Sequence, residues 1–379
     1  MSCELGDGQG GWPRRSINLN ERLTNIFGNM TSDVVSTNQV GTQDNVVLAN
    51  NLNNPLIYQG SGGDQQQSLQ AAINQAAASH RTLFIPAGTY NHSGILTLNG
   101  AQVIGSGRTT VLIATNPIAS AIRLTGNGAR LSTLTTQTSA SERSNQPEAA
   151  NVLIQQANGA VVSNLVIKGA GSNGVRADSS LRGKIWRNVV MGTNADGIAL
   201  MNGSRQNVVL GNEVYEAGDD AFSDDSYQWE ASQDRDNTFV RNYAHANAYG
   251  RGIVLMGPTH DIAQDNIIVC QPWVAIGAGQ DGGSRTTQGS ALQINHNTFY
   301  QISNAEPVLA NTAINSQVSD NVTLTSPPNV QAIIGWQPYN QLVSRWEISP
   351  NYIPGSGPGS CNGSSGCTFN PPLCFPDKR

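Results

Sequence analysis

The sequence predicts an all-β protein, a right-handed parallel β-helix with a capping helix at its N-terminal end. Three observations favour this fold class: an asparagine that recurs at a fixed period, short runs of β-branched residues between turns, and a composition rich in glycine and poor in charge. Only 12% of the 379 residues are charged, and 40 are glycine. This composition is typical of many short strands joined by tight turns.

The recurrent asparagine follows intervals of 24, 24, 30, 24, 31 and 24 residues, which is one period with two insertions. A fixed period in the 20s without a helical pattern indicates a solenoid, whose coils bury their apolar faces by stacking on one another. Identical asparagines one coil apart can satisfy each other's buried amides as a ladder at a turn. The predicted ladder consists of Asn164, Asn188, Asn212, Asn242, Asn266, Asn297 and Asn321.

The sequence pattern divides the chain into three segments. Residues 1–50 show no sustained period and are expected to form an N-terminal extension, residues 51–345 carry the solenoid pattern, and residues 346–379 form a tail rich in proline, glycine, serine and cysteine. The alanine-rich stretch 65–79 predicts a helix, which should cover the apolar side chains and strand edges of the first coil. Strands are expected to follow at 82–86, 94–98, 101–105 and 110–115.

The cysteines bear on the cellular compartment. Cys361, Cys367 and Cys374 crowd the tail, where a disulfide is favoured over a metal site because no histidine lies among them. A disulfide there predicts an extracellular location, either secreted or on a virion surface. Cys270 alternates with inward apolar neighbours and is expected to be a buried, inert thiol. The first residues lack the apolar stretch of a signal peptide, so any export signal has been removed or was never present.

Charge and hydropathy exclude two kinds of partner. The net charge of -5 and the pI near 5.5 argue against a nucleic-acid partner, which would require a basic face. No apolar run approaches 18 residues, so no membrane span is expected. No trimerisation motif is evident, which leaves a monomer and a homotrimer both open.

The richest concentration of charge lies at residues 216–236. Asp196 and Asp220 each follow a ladder asparagine by eight residues, so they should lie one above the other in successive coils, about 4.8 Å apart, with Asp219 beside them. Three carboxylates this close cannot all ionise at their usual pKa, so at least one should hold a proton near neutral pH. Glycoside hydrolysis requires such a pairing of acid and base.

Two insertions lengthen the coils near these acids. The first insertion, residues 226–235, carries Tyr227 and Trp229, and exposed aromatic rings beside a cleft bind the apolar faces of sugars. The second insertion, residues 279–289, carries Arg285 and is expected to form another wall. Loops on a rigid scaffold are where functional residues accumulate.

Successive coils can also be aligned on a small residue that is followed by an apolar one, as in Gly197-Ile198 and Gly252-Ile253. This alignment places Arg251 in the column of Asp196 and Asp220. Its guanidinium could hold a substrate carboxylate or hydroxyls, or tune the acids by its charge. Tyr249 and His245 are the remaining candidates for substrate binding near the cleft.

Four nearby residues are not expected to bind substrate directly. Trp273 should pack against its neighbours, and His260 should be a turn residue. Asp224 should point inward, where it requires a partner, a bulge that turns it outward, or a bound Ca²⁺ ion. The role of Asp225 stays open, and no cofactor other than this calcium is expected.

The stretch GGDQQQSLQAAINQAAASHRTLFIPAGTYNHSG resembles the start of pectate-lyase-like β-helix proteins, which combine a helix in a QAAI setting with an FIPAGTY-like strand and turn. This resemblance extends over residues 60 to about 340. It implies the fold but not the reaction, because the superfamily contains hydrolases, lyases, epimerases, phage tailspikes and binding proteins.

The acidic motifs resemble those of the polygalacturonase-type glycoside hydrolases of family 28, which carry N-T-D, D-D, G-H-G and R-I-K. The matching segments here are Asn194-Ala195-Asp196, Asp219-Asp220 and Gly250-Arg251-Gly252. Arg251 replaces the histidine, and no R-I-K exists. The family uses its Arg and Lys to hold the galacturonate carboxylate, so their absence argues against a pectic substrate more than against hydrolysis. The resemblance implies that Asp219 is the general acid and that Asp196 and Asp220 hold the attacking water, which gives inversion.

The sequence therefore predicts a polysaccharide-degrading glycoside hydrolase and leaves two alternatives open. One is a lyase or epimerase that acts on a uronate-containing glycan, which the scarcity of lysines on the expected face argues against. The other is a non-catalytic glycan-binding or tailspike-like adhesin, in which the aspartates would only cap turns.

Overall fold

The computed structural model describes residues 54–323 apart from 61, 117–121, 301 and 303–306, together with residue 52 and the strands 334–336 and 346–348. In this part of the chain, each coil contributes one strand to each of three long parallel sheets. The predicted right-handed parallel β-helix is therefore confirmed. No helix among the described residues is long and apolar enough to cross a membrane.

The three sheets form three faces of the solenoid, and each strand pairs with strands one coil before and after it. Sheet A comprises Leu56–Ile57, Thr82–Ile85, Gln102–Gly105, Arg130–Ser132, Val161–Ser163, Lys184–Trp186, Val208–Leu210, Thr238–Val240, Ile262–Gln264, Gln293–Asn295, Ser316–Ser319 and Trp346–Ile348. Sheet B comprises Gly88–His92, Thr110–Ala114, Thr135–Thr138, Val166–Ala170, Val189–Thr193, Glu213–Tyr215, Tyr243–His245, Ile267–Val269, Thr298–Tyr300 and Val322–Thr323. Sheet C comprises Leu96–Asn99, Ile122–Asn127, Val152–Asn158, Val175–Asp178, Ile198–Met201, Phe222–Asp225, Ile253–Met256, Ile276–Gly279, Val308–Ala310 and Ile334–Trp336. A short fourth sheet pairs Gly289–Ser290 with Ala313–Ile314.

The helix Gln66–Ala78 lies at the N-terminal end, where the sequence predicts a capping helix. Its buried face consists of Leu69, Ile73 and Ala76, which pack on the strands of the first coils. A short 3-10 helix, Pro147–Ala149, precedes one strand of sheet C.

The core is made of stacked apolar columns. In sheet C, for example, Val175, Ile198, Phe222, Ile253 and Ile276 lie in register and are fully buried. Since alternate residues of a strand face opposite sides, a slip of one residue would expose this whole column. The register that buries the core therefore also fixes which side chains face outward.

The asparagine ladder exists at the turn between sheets A and B, but it begins at Asn188. The Oδ1 atom of each ladder asparagine accepts hydrogen bonds from the backbone N–H and the side-chain amide of the preceding one, as Asn212 does from Asn188 at 3.0 and 2.9 Å. All six asparagines are buried. The ladder consists of Asn188, Asn212, Asn242, Asn266, Asn297 and Asn321.

The prediction that Asn164 belongs to this ladder is wrong by one residue. Leu165 occupies the column, since its backbone N–H donates to Asn188 Oδ1 at 3.0 Å across 23 residues. Asn164 precedes it with φ 53°, in the same left-handed turn position as Arg187 and Gly211. Asparagine is one of the few residues that favour this conformation, so either of two adjacent turn positions can select it.

A second ladder, which the sequence analysis did not identify, lies at the turn between sheets C and A. Asn207 accepts from the backbone N–H of Gly183 at 2.8 Å and donates through its own N–H to Asn237 at 2.9 Å. The ladder ends on a carboxylate, because Asn237 N–H donates to Asp261 Oδ1 at 2.9 Å. Each member follows a left-handed residue, such as His260 with φ 61°, which confirms that His260 is a turn residue.

Three carboxyl groups are buried inside the solenoid next to this second ladder. Asp224 points inward as expected, and it accepts a hydrogen bond from Asn237 Nδ2 at 2.9 Å. Asp224 Oδ1 and Asp261 Oδ2 have no hydrogen-bond partner among the described residues, and a proton on either carboxyl would let the pair bond to each other. Asp234 accepts from Ser226 Oγ at 3.0 Å. Burial raises the pKa of Asp224 and Asp234 well above the usual range and that of Asp261 to about 7.

Stability is expected to fall as pH rises, because the folded protein holds these protons more tightly than the unfolded chain. The stabilisation is complete below the unfolded pKa of 3.8 and is lost as pH rises through about 7 for Asp261. Each such group lowers the unfolding free energy by up to about 1.4 kcal/mol per pH unit within that window. In Asp224→Asn, an amide can donate to Asp261 without a titrating proton, so the midpoint of thermal unfolding should depend less on pH. The exposed Asp320→Asn serves as the control; an unchanged pH dependence in Asp224→Asn would contradict this account.

Cys270 differs from the expectation of an inert thiol, because it is disulfide-bonded and only 6% exposed. The other four cysteines lie outside the described residues, as does the expected N-terminal extension. The strand Trp346–Ile348 pairs with Ser316–Ser319 of sheet A, so the sheet continues three residues past the expected start of the tail.

Candidate active site

The candidate acids lie in the turns that connect sheet B to sheet C in successive coils. Counted back from the paired strands, Asp196, Asp220 and Arg251 occupy one column. The backbone N–H of each coil supports the carboxylate of the preceding one: Asp220 N–H donates to Asp196 Oδ1 at 3.2 Å, and Arg251 N–H donates to Asp220 Oδ1 at 2.6 Å. The sequence-based placement of these three residues in one column is confirmed.

Gly250 and Gly252 allow the turn that carries Arg251 to pack closely against neighbouring segments of the chain. Gly250 has φ 80°, and a Cβ atom there would lie 2.5 Å from the carbonyl carbon of Asp219. A Cβ on Gly252 would lie 2.4 Å from a methyl carbon of Ile268. Because real Cβ atoms do not approach so closely, only glycine lets the turn pack directly on the coil that carries Asp219.

Carboxylate oxygens of Asp196, Asp219 and Asp220 lie within 4.8 Å of one another. The Asp220 side chain is only 4% exposed and that of Asp219 is 22% exposed, so Asp219 lies at the rim. Asp196 is partly buried and accepts hydrogen bonds from Asn173 Nδ2 at 3.1 Å and Ser223 Oγ at 3.0 Å. The three acids therefore form one cluster that is open to solvent at Asp219.

Two arginines compensate this negative charge. Arg251 donates two parallel hydrogen bonds to Asp220, from Nε to Oδ1 and from Nη2 to Oδ2, both at 2.9 Å. Arg143 donates to Asp219 Oδ2 at 2.7 Å from a segment 76 residues earlier in the chain. Arg251 is therefore occupied by Asp220, whereas the Arg143 side chain is 50% exposed and can leave its partner.

The surroundings of Asp196 and Asp220 act differently on the pKa values of the two carboxyls. Burial, followed by the charges of Asp220 and Asp219, raises the pKa of Asp196 to about 7. Burial also raises the pKa of Asp220, and the Arg251 guanidinium opposes that rise. Asp196 thus titrates near neutral pH beside a carboxylate that an arginine keeps ionised, and such a split is typical of acid and base catalysis.

The cluster is also the one place in the described chain where three carboxylates could together hold a metal ion. The residues fit a cation poorly, however, because both oxygens of Asp220 already accept from Arg251 and Asp219 is paired with Arg143. No mechanistic step is therefore assigned to a metal. Calcium at Asp224 stays a prediction: the Oδ2 atom accepts from Asn237 Nδ2 at 2.9 Å, whereas Oδ1 has no hydrogen-bond partner among the described residues.

The two insertions form one joined wall beside the acids. Backbone hydrogen bonds link them, from Gln228 N–H to the Arg285 carbonyl at 3.0 Å and from Thr287 N–H to the Ser226 carbonyl at 2.8 Å. Together they cover the outer face of sheet C, where Ser223 is buried despite pointing outward. The predicted second wall is thus continuous with the first.

A fourth carboxyl, that of Asp225, lies within electrostatic reach of the acid cluster. It lies in register between Met201 and Met256 on the outer face of sheet C and is 8% exposed. Burial and the charges of Asp196 and Asp220 raise its pKa well above the usual range. The charge of Asp225, followed by burial, raises the pKa of Tyr227.

The predicted substrate-binding residues are not all brought together. Tyr227 stacks on Trp229 with ring centroids 4.5 Å apart, and Trp229 is 65% exposed on the wall. Tyr249 is 63% exposed in the turn that carries Arg251. Arg285 lies at the exposed tip of the second insertion.

His245 lies on the outer face of sheet B instead. Its ring is stacked between Tyr215 and Tyr243 at 5.0 and 4.4 Å, and its Nε2 atom is 3.0 Å from Glu213. No hydrogen bond or ion pair among the described residues joins it to the aspartates.

Trp273 was expected to be a packing residue, but it is 37% exposed and lies against the Arg251 guanidinium at 5.3 Å. Sequence reasoning also missed Arg143, Asn173 and Ser223. Asn173 and Ser223 could have been found, because Asn173 occupies the column of Asp196 and Ser223 alternates with the inward residues of its strand. Arg143 carries no such signal.

The fold and the site define a pectate-lyase-like parallel β-helix protein. Residues 59–267, more than half of the chain, match the family of rhamnogalacturonase A/epimerase, pectate lyase-like proteins, and the chain belongs to that family. No curated protein sequence matches it.

Solved structures share the fold at low sequence identity. The catalytic unit of a thermostable GH87 α-1,3-glucanase from Streptomyces thermodiastaticus superposes with a TM-score of 0.63 and 18% identity, over 78% of this chain and 55% of the glucanase. The module of a mannuronan C-5 epimerase from Azotobacter vinelandii gives 0.57 and 18%, over 79% and 93%. The ORF18 protein of Geobacillus virus E2 gives 0.55 and 12%, over 82% and 63%. This chain therefore spans about half of the glucanase unit.

Proposed function

We propose that this protein is a glycoside hydrolase that cleaves a polysaccharide. The observation that carries the proposal is the cluster of Asp196, Asp219 and Asp220, whose oxygens lie within 4.8 Å of one another. The nearby turns and first insertion carry the exposed aromatic side chains of Trp229, Tyr249 and Trp273. The family name and the glucanase with the same fold support a glycan substrate.

The three aspartates receive different roles from their surroundings. Asp196 and Asp220 lie deep and close enough that one water molecule can contact both, since two hydrogen bonds of about 2.8 Å span that distance. Asp220 is kept ionised by Arg251, and Asp196 becomes a base once it loses its proton. Asp219, whose side chain is 22% exposed, leaves Arg143, takes up a proton from solvent and, as the general acid, gives that proton to the leaving oxygen while the activated water attacks the anomeric carbon.

The stereochemical outcome follows from how far Asp219 moves. Inverting glycosidases usually hold acid and base about 6.5–9.5 Å apart, and retaining ones about 5–5.5 Å apart. The present separation is shorter than the inverting range. Inversion therefore requires Asp219 to leave Arg143 and swing toward the leaving oxygen as substrate enters, and this is the course that we propose.

A panel of polysaccharides tests the function. Rhamnogalacturonan, polygalacturonate, α-1,3-glucan and mannuronan are incubated with the protein, and new reducing ends are counted. Proton NMR of the first products then reports the anomer, which should be inverted. Ultraviolet absorbance of an unsaturated product would instead establish a lyase, and a changed uronate configuration without cleavage would establish an epimerase. Binding of a polysaccharide without any new product would favour the non-catalytic adhesin.

The rate should depend on pH through Asp196. Because its pKa is raised to about 7 and it acts as a base, kcat/KM should fall about tenfold per pH unit below that value. Arg143 is a cation near both Asp219 and Asp196. Arg143→Met should therefore move the pH profile to higher pH, whereas Arg143→Lys should leave it near its original position. Coincident profiles for Arg143→Met and the unaltered protein would remove Arg143 from the mechanism.

We further propose an extracellular setting, either secreted or on a virion surface. The disulfide of Cys270 supports an oxidising compartment, and a viral protein shares the fold. Mass spectrometry of a non-reduced digest should recover the Cys270 peptide linked to a second cysteine peptide, and alkylation of Cys270 without prior reduction would contradict this setting.

A further inference from the structure

We propose that Tyr249 and Trp273 form an aromatic track that binds additional sugar units on the C-terminal side of the acids. The glycan would then lie along the solenoid axis, across successive coils. This inference rests on the proposed function, since it assigns further subsites to the same cleft.

The exposure of these rings is the first argument. Four large hydrophobic side chains are exposed in the described part of the chain, and three of them flank the acid cluster: Trp229 at 65%, Tyr249 at 63% and Trp273 at 37%. The fourth, Ile57, lies in the first strand. Aromatic residues make up only 6% of the sequence, so their concentration in solvent at one place requires an explanation other than packing.

The second argument is the register of the turns. Counted back from the paired strands, Asp219, Gly250 and Trp273 occupy one column in three successive coils. Two strand spacings, about 9.6 Å, therefore separate the positions of Asp219 and Trp273 along the solenoid. Trp273 thus lies on the C-terminal side of the proposed acid, in the same column of the turns.

The third argument is the chemistry around Trp273. Sugars present an apolar ring face and a rim of hydroxyls, so their sites combine an aromatic ring with fixed hydrogen-bond groups. The Arg251 guanidinium lies 5.3 Å from the Trp273 ring centroid. It is held in place by Asp220, which uses Nε and Nη2 but not Nη1. Ring and guanidinium are thus both preorganised.

The track has a direction. On the N-terminal side of Asp219 the same column continues with Ala195 and Ser172, which are buried and small. Aromatic platforms in these turns therefore exist only on the C-terminal side. We infer that longer glycans gain affinity by extending toward the C-terminal coils, beyond Asp219.

Binding measurements with an inactivated protein test the track. Calorimetric titration of Asp219→Asn uses disaccharides, tetrasaccharides and octasaccharides of rhamnogalacturonan, polygalacturonate, α-1,3-glucan and mannuronan. The octasaccharide of one series should bind most tightly. Adding Trp273→Ala should weaken that binding by about 10-fold or more, as for a residue at the centre of an interface, and leave the disaccharide unchanged. Trp273→Phe should retain most of the affinity.

A matched control is available in Trp186. This tryptophan also lies beside cationic side chains, Lys184 and Arg187, but it belongs to sheet A and not to the turns between sheets B and C. Trp186→Ala should leave octasaccharide binding unchanged. In the catalytically intact protein, Trp273→Ala should raise KM for the polymer with kcat nearly unchanged.

The outcomes separate the track from the proposed function. Equal octasaccharide affinities with and without Trp273→Ala overturn the track, while new reducing ends from the polymer keep the hydrolase. A fall in kcat without a rise in KM also overturns it, because Trp273 would then act only by positioning Arg251. If Asp219→Asn binds none of the oligosaccharides and the unaltered protein cleaves none of the polymers, both proposals fail.

Discussion

Asp219→Asn is expected to lower kcat at least about 100-fold, the smaller end of what a lost general acid costs. The amide keeps the shape of the carboxylate but cannot donate a proton to the leaving oxygen as the acid does. Since the Asp219 side chain is 22% exposed and its partner Arg143 is 50% exposed, folding should be little affected. The measurement is the rate of new reducing ends on the polymer that the panel identifies, with thermal unfolding recorded alongside.

Asp220→Asn should lower activity to the same extent and also lower stability. Its loss leaves the Arg251 guanidinium, only 15% exposed, without a counter-ion, and breaking a buried pair in this way costs about 3–5 kcal/mol. Asp320→Asn, at a side chain that is 56% exposed, is the control and should change neither quantity. Normal turnover in both Asp219→Asn and Asp220→Asn would refute the hydrolase and favour a glycan-binding role.

Asn242→Ala is expected to destabilise the solenoid by about 3–5 kcal/mol, because it leaves several buried groups without partners. The backbone N–H and side-chain amide of Asn212 both donate to Asn242 Oδ1, at 3.0 and 3.1 Å. The carbonyl of Val209 accepts from Asn242 Nδ2 at 2.9 Å. No water can reach these atoms in the interior, since Asn242 is 1% exposed.

Asn164→Gly is the matched control for the ladder. The sequence pattern alone treats Asn164 and Asn242 as equivalent, whereas the structure places Asn164 in a left-handed turn position that glycine also favours, as at Gly211. The midpoint of denaturant unfolding should therefore fall markedly for Asn242→Ala and change little for Asn164→Gly. Similar losses in the two variants would mean that the ladder hydrogen bonds are not the cause.

The features predicted correctly from the sequence all depend on period. The ladder from Asn188 onward and the shared column of Asp196, Asp220 and Arg251 follow from counting residues, because a solenoid converts sequence distance into spatial register. The capping helix follows from the shorter period of its own apolar residues. Counting failed by one residue at Asn164, where two adjacent turn positions select the same amino acid. The second ladder through Asn207 and Asn237 had the same kind of signal.

Other features could not be predicted from the repeat period, because they involve contacts between residues that do not occupy equivalent positions in successive coils. Arg143 reaches Asp219 from a segment without repeat pattern. The charge of Asp261, in a turn, raises the pKa of Asp224, in a strand, across the interior. The exposure of Trp273 and its contact with the Arg251 guanidinium also carry no signal in the repeat pattern.

The support of each acid by the backbone N–H of the next coil limits how this protein can change in length. Repeat proteins generally gain and lose whole coils with little harm, since each repeat contacts only its neighbours. Here a coil added between Asp196 and Arg251 would separate partners that bond at 2.6–3.2 Å. Duplication or deletion of coils is therefore compatible with activity only before Asn173 or after Trp273, and the coils between them form the part of the solenoid that must be inherited as one block.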